Sequence, residues 1–218
     1  MSPSSRGRGR ASDDAADGRS TRAQQRRAQR RAAILAAARR VFSQKGYHEA
    51  SIGDIIDEAQ IARGTFYLYF DDKLDVFGAL VSDFFARVAG SIRSIELGPD
   101  AAPPREQLRA NLARVVTLAM DEPGMVKIAF GTAFGVDPAL DERLARFYAA
   151  LSTFMDETLQ TGQRLGLVRG GDRRLMLSIA IGGLQQLLRD AVDGTVPSDE
   201  HALVDAVMDF LQSGLLAR

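Results

Sequence analysis

The chain has 218 residues, 45% hydrophobic and 26% charged, with 28 Lys/Arg against 28 Asp/Glu. It has no cysteine and two isolated histidines, His48 and His201, which excludes a disulfide framework, a thiolate metal site and a His-built metal site. No apolar run reaches the ~18–20 residues that a bilayer span needs; the longest candidate, Leu175–Leu184, is interrupted by Ser178 and two glycines. The neutral total conceals a division. Residues 1–70 hold 13 Lys/Arg and 7 Asp/Glu, whereas residues 71–218 hold 15 and 21. A basic N-terminal part joined to an acidic remainder is the charge pattern of a nucleic-acid reader attached to something else.

In chain order, residues 1–20 are Ser, Gly, Arg and Asp with almost nothing apolar, and read as a disordered tail. Arg6, Arg8 and Arg10 make it either inert or a basic arm for DNA phosphates or the minor groove. Asp13, Asp14 and Asp17 argue against a transit peptide. A first helix is expected over Thr21–Lys45, stopped by Gly46. Its first half is dense in Arg and Gln, a solvated face or a phosphate contact. Its second half places Ile34, Leu35, Ala38, Val41 and Phe42 at core spacing.

The stretch Ser51–Lys73 reads as two short helices and the start of a third. Ser51 is a good N-cap with Asp54 three residues on, and Ile52, Ile55, Ile56 and Ala59 recur at helical spacing. Gln60-Ile61-Ala62 breaks that helix, and a second starts near Arg63 and runs through Phe70. At about 100° per residue Phe66 and Phe70 share a face, which must be the buried one. Thr65 and Leu68, flanked by Tyr67 and Tyr69, then point outward. An outward face of this kind makes sense if it meets a partner, as in a helix-turn-helix entering the DNA major groove.

The run Gly64-Thr65-Phe66-Tyr67-Leu68-Tyr69-Phe70-x-x-Lys73, after a Ser-capped helix and before an apolar one, resembles the DNA-binding domain of tetracycline-repressor (TetR) family transcription regulators. The resemblance is residue-specific from about Ala33 to Leu80 and architectural beyond. It implies that Ser51 bonds a phosphate while capping its helix, and that Arg63, Gly64, Thr65 and Leu68 face base edges or the nearby backbone. It further implies that Tyr67 and Tyr69 bond phosphates and that Lys73 pairs with one as a point charge. Two positions depart from the family: Gln60 stands where a turn glycine is usual, and Gly53 where some members place a base-reading arginine.

The rest reads as helices: Asp71 to about Ile95, Arg105–Met120, Pro123–Phe134, Pro138–Leu165 after an Asp137 cap, Arg173–Val192 after Asp172, and Asp199–Leu216 after Ser198. The expected fold is all-α, about nine helices: a tail (1–20), a three-helix reader (21–72) and a C-terminal bundle (73–218). The last two helices are apolar on more than one face. Leu175, Ile179, Gly182, Gly183, Val204, Val207, Phe210, Leu211 and Leu215 exceed what one core requires. The resemblance implies a two-fold dimer through a four-helix bundle of these helices. It also implies an effector pocket, with Phe84, Val88, Val116, Met120, Phe130, Phe134, Phe147, Tyr148, Leu151 and Gln185 as candidate lining and a hydrophobic ligand. Arg114 and Arg189 are candidates to anchor an acidic group on it, or else lie at the surface.

The function expected is a sequence-specific, ligand-responsive repressor that binds a near-palindromic operator as a homodimer in the bacterial cytoplasm, with no cofactor. A family member that activates, or senses no ligand, is the alternative. An α-helical enzyme or scaffold ranks last, because the sequence offers no Ser/His/Asp arrangement, metal-ligand spacing or Gly-rich phosphate loop.

Overall fold

A computed structural model describes the backbone of residues 10–131 and 138–214; the side chains of 10–20, 131, 140, 143, 147 and 214 lie outside that description. The described residues form nine α-helices: α1 (Arg10–Glu49), α2 (Ile52–Ala59), α3 (Arg63–Tyr67), α4 (Lys73–Ser91), α5 (Pro104–Asp121), α6 (Pro123–Gly131), α7 (Pro138–Arg164), α8 (Arg173–Val192) and α9 (Glu200–Gly214). The all-α reading holds.

Differences at the helix ends have local causes. Helix α1 opens at Arg10, so residues 10–20 of the expected disordered tail are helical. The favourable terms there are Ala11, Ala15 and Ala16, with Asp13 and Asp14 near the positive helix end. At its other end α1 is broken where expected, by Gly46 at φ 77° and ψ 167°. Helix α3 stops at Tyr67, not Phe70, although the Phe70 N–H still donates to the Phe66 carbonyl at 3.1 Å. Helix α4 ends at Ser91, four residues before Ile95. There the buried Asn111 side chain donates to the Arg93 carbonyl (2.8 Å) and accepts from its N–H (2.9 Å), holding the chain out of the helix. Arg114 donates to the orphaned Ser91 carbonyl at 2.8 Å, so its guanidinium caps a helix and is not a free ligand anchor. Asp199, not Ser198, caps α9: its carboxylate accepts from the Ala202 N–H at 2.8 Å. Asp172 caps α8 as expected. The Asp137 cap and the end of the sixth helix at Phe134 lie outside the described residues.

One apolar core runs without a break from Ile34 and Phe42 on α1, through Phe66, Phe77 and Phe84, to Met125 and Val126 on α6 and Met208 on α9. The short α2–α3 unit joins this core chiefly through α2 on α1, and α1 is seated in turn on α6. At Gly124 a Cβ would lie 2.9 Å from that of Ser43, so a side chain there would push α6 off α1.

The turn between α2 and α3 stores strain. Gln60 sits at φ 52° and ψ 50°, the only non-glycine with positive φ among the described residues. For an L-residue the left-handed conformation costs roughly 1–2 kcal/mol. Gln60→Gly is expected to raise stability by about 0.5–1 kcal/mol, net of the entropy that glycine adds to the unfolded chain. A thermal or urea melt checks this; an unchanged or lower midpoint would contradict it.

Candidate nucleic-acid interface

The reading unit is held from beneath by aromatic packing. Phe66 is fully buried and Phe70 2% exposed, with ring centroids 6.0 Å apart, so the inner face of α3 is as the spacing implies. The outer face carries Leu68, 70% exposed, and Tyr67, 44% exposed, beside a half-buried Thr65. An exposed leucine at the tip of a five-residue helix contributes nothing to this chain's own core.

Arg63 is exposed, and its guanidinium stacks over the Tyr67 ring at 5.9 Å. The helical wheel alone turns Arg63 towards the core; its place in the first turn of α3, beyond the core edge, frees it. Gly64 has negative φ, and a Cβ there would meet nothing within 4 Å. Glycine in a helix costs roughly 1 kcal/mol relative to alanine, and the fold itself does not need it. Open space at Gly64 suits close approach of an external backbone. Tyr69 is half-buried against the core.

Ser51 opens α2 with a complete capping box. Its Oγ accepts from the Asp54 N–H at 3.1 Å, and Asp54 accepts from the Ser51 N–H at 2.8 Å. The Ser51 hydroxyl also donates to Asp54 at 2.8 Å, so a phosphate contact through this exposed serine competes with the cap. Lys45 donates to Asp54 at 2.6 Å, and this bond, followed by that from the Ser51 N–H, holds the Asp54 carboxyl down at about 2. Arg40 bonds Glu58 at 2.5 Å. Two of the three acids on α2 are thus neutralised by α1, which reduces the repulsion that a polyanion would meet there.

Lys73 is engaged within the chain. Its ammonium donates to the carbonyls of Tyr47 (2.8 Å), His48 (3.2 Å) and Ala50 (2.8 Å), and lies 4.6 Å from the centre of the Tyr47 ring. All three donors are occupied. The ammonium gathers the chain between the Gly46 break and α2 and acts there as a pin; the phosphate contact implied by the resemblance would have to compete with these three carbonyls.

In the C-terminal part, Phe84 and Val116 are fully buried, while Val88, Met120, Phe130, Tyr148, Leu151 and Gln185 are half-buried. Phe84, Phe85, Phe130 and Tyr148 form one ring cluster with centroid separations of 5.6–6.4 Å. Phe85, which is not among the candidate lining residues named from the sequence, is the ring that touches the other three. Tyr148 is bonded to Gln185, and burial pushes its hydroxyl up to about 12, so it stays protonated at any working pH. Phe134 and the Phe147 side chain lie outside the described residues.

On α8 and α9, Leu175 (64%), Ile179 (60%) and Phe210 (57%) are exposed. Gly182 and Gly183 are exposed beside them, with nothing within 4 Å of a built Cβ, and Val207 and Leu211 are half-buried. Val204 is corrected: it is 4% exposed and packs in the chain's own core with Leu203 and Met208, the inward stripe of α9. Leu215 lies outside the described residues. Among the described residues, no helix is long and apolar enough to cross a membrane.

A capped helix, a tight turn and a short helix with a buried aromatic face and an outward reading face define a helix-turn-helix DNA-binding protein. Comparison with known proteins extends this. Residues 34–80 match the family model described as bacterial regulatory proteins, tetR family. The HTH-type transcriptional regulator YdgC of Bacillus subtilis, itself uncharacterized, is 25% identical over 187 residues, 85% of this chain and 92% of that protein. The fatty acid degradation regulator FadR of Bacillus halodurans superposes with a TM-score of 0.72 at 25% identity, over 83% of this chain and 93% of that one. FadR of Bacillus subtilis, solved in complex with stearoyl-CoA, gives 0.69 at 24% identity, over 84% and 97%. Residues 34–80 are thus a DNA-binding domain of the TetR kind, and the likeness to helix-turn-helix transcriptional regulators runs over most of the chain.

Proposed function

We propose that the protein is a ligand-responsive repressor that binds a near-palindromic operator as a homodimer, with residues 21–72 as reader and 73–218 as the sensing and pairing unit. Its effector is a long-chain acyl thioester. The observation that carries the DNA half is the split of α3 into a sealed Phe66 face and an exposed Leu68–Tyr67 face. Ser51, Arg63, Gly64, Thr65, Tyr67, Leu68 and Tyr69 are the proposed contacts, and Lys73 holds them in place. The effector half is supported by the stearoyl-CoA complex of the similar Bacillus subtilis FadR. It also fits the ring cluster of Phe84, Phe85, Phe130 and Tyr148, an apolar lining for an acyl chain with one polar pair, Tyr148–Gln185.

Coupling between the two halves has a physical basis in Glu122, at the α5–α6 junction. Its carboxylate accepts from Arg39 of α1 at 2.7 Å and from both terminal nitrogens of Arg87 of α4. These bonds, chiefly those from Arg87, hold the carboxyl below its ordinary value although burial opposes them. The latch is therefore complete above the ordinary carboxylate pKa of 4.5 and is lost as pH falls through the lower folded value. An acyl chain that displaces α4 or α6 would strain this three-way contact and tilt α1 with the reader.

The test is operator binding with and without saturating stearoyl-CoA, with free coenzyme A as control. A coupling free energy of about 1.4–3 kcal/mol would weaken operator binding about 10- to 150-fold. Unchanged affinity, together with an unchanged melting temperature, would remove the acyl thioester and leave a regulator of another effector or none.

A further inference from the structure

From Thr21 to Ala33 every residue of α1 is exposed, so this segment adds nothing to the chain's buried core. At 1.5 Å per residue it is an arm of roughly 20 Å. Its Arg, Gln and Ala composition sustains a helix by propensity alone. Ala23, Arg26, Arg27 and Arg30 recur at helical spacing and form one stripe, and that stripe faces the end of the reading helix. Between them and Leu68 and Tyr69 lies a cleft of about 790 Å³ with no carboxylate in its lining. Among the described residues the three arginines make no ion pair. The next residue, Arg31, stacks on Phe70 at 5.1 Å and fixes the arm against the reader.

Three arginines line one cleft with no acid among its lining residues, and their like charges favour an anion there. The cleft is continuous with the outward face of α3, because Leu68 belongs to both. The geometry points to a second DNA site: the cleft of Arg26, Arg27 and Arg30 with Tyr69 clamps the sugar-phosphate strand flanking the bases that α3 reads. This rests on the reader assignment and extends it, since it lengthens the footprint beyond the operator half-sites and adds affinity that is indifferent to sequence.

The test compares two duplexes over a range of KCl: a selected operator with ten flanking base pairs on each side, and the same operator trimmed flush. The variant is the triple substitution Arg26→Gln, Arg27→Gln, Arg30→Gln, which keeps helix propensity. For the wild type, log affinity should fall more steeply with log salt on the long duplex, by about 2–3 units per arm at ~0.9 per neutralised phosphate. The triple variant should abolish that difference and melt at the wild-type temperature. Thr65→Ala should alter base preference and leave the difference intact. Equal slopes for the wild type on both duplexes would overturn the clamp while leaving the reader standing. So would a triple variant that behaves as wild type. A wild-type protein that binds neither duplex would overturn both.

Discussion

Replacing Leu175, Ile179 and Phe210 together by serine is expected to make the protein monomeric at micromolar concentration and to weaken operator binding at least 100-fold. The three side chains are 57–64% exposed, larger and more exposed than a folded chain leaves clustered without cause. Burying each against a symmetry mate would contribute roughly 1.5–3 kcal/mol. The exposed Gly182 and Gly183, with no neighbour near a built Cβ, leave room for a second α8 to approach closely. The DNA consequence follows from geometry. A dimer presents two reading helices about 34–36 Å apart, one turn of duplex, so that binding of the second half-site becomes intramolecular. Loss of the dimer removes that gain although no residue at the DNA has changed. Sedimentation and fluorescence anisotropy on the same samples check both parts. Circular dichroism should be unchanged, since none of the three sites lies in the chain's own core. A wild type that is monomeric, or a triple variant that remains dimeric, would contradict the assignment.

The second large effect concerns Lys73. Lys73→Met keeps the apolar stem and deletes the ammonium, leaving the carbonyls of Tyr47, His48 and Ala50 without their shared donor. Tyr47 and Ala50 are 7% and 3% exposed, so water is a poor substitute. Three charge-assisted bonds are lost at once, and the expected destabilisation is about 2–4 kcal/mol. The loss falls on the segment that positions α2, so operator affinity should fall with it. Equilibrium urea unfolding separates the two roles. A phosphate point charge would leave stability unchanged and flatten the salt dependence by about one contact. A pin lowers stability and leaves the salt slope of the folded fraction unchanged. Wild-type stability in the variant would restore the phosphate reading.

Local signals were legible in the sequence. The Gly46 stop, the Ser51–Asp54 box, the Asp172 cap and the Phe66/Phe70 face each depend on residues at most four apart. The strain at Gln60 was signalled by the resemblance, which has glycine, the residue that favours positive φ, at that turn position. What sequence could not supply was the partner at a distance. Lys73 reads as a surface cation until its three carbonyl acceptors, 23 to 26 residues back, are placed around it. Arg114 reads as a surface cation or a ligand anchor until the end of α4 is brought to it. Glu122 carried no signal at all, since Arg39 and Arg87 lie 83 and 35 residues away. Val204 illustrates a different limit. Periodicity on α9 reveals two apolar stripes but not which one the chain itself covers. The basic arm was visible as composition; the cleft that it forms with Leu68 and Tyr69 required the fold.

The most direct test of the central claim is selection of bound sequences from random duplex DNA by the full-length protein. The expected result is a near-palindromic site whose half-sites lie one helical turn apart, with preference at single positions changed by Leu68→Ala or Thr65→Ala. A selected pool indistinguishable from the input, obtained with protein freed of small molecules by denaturation and refolding, would contradict it.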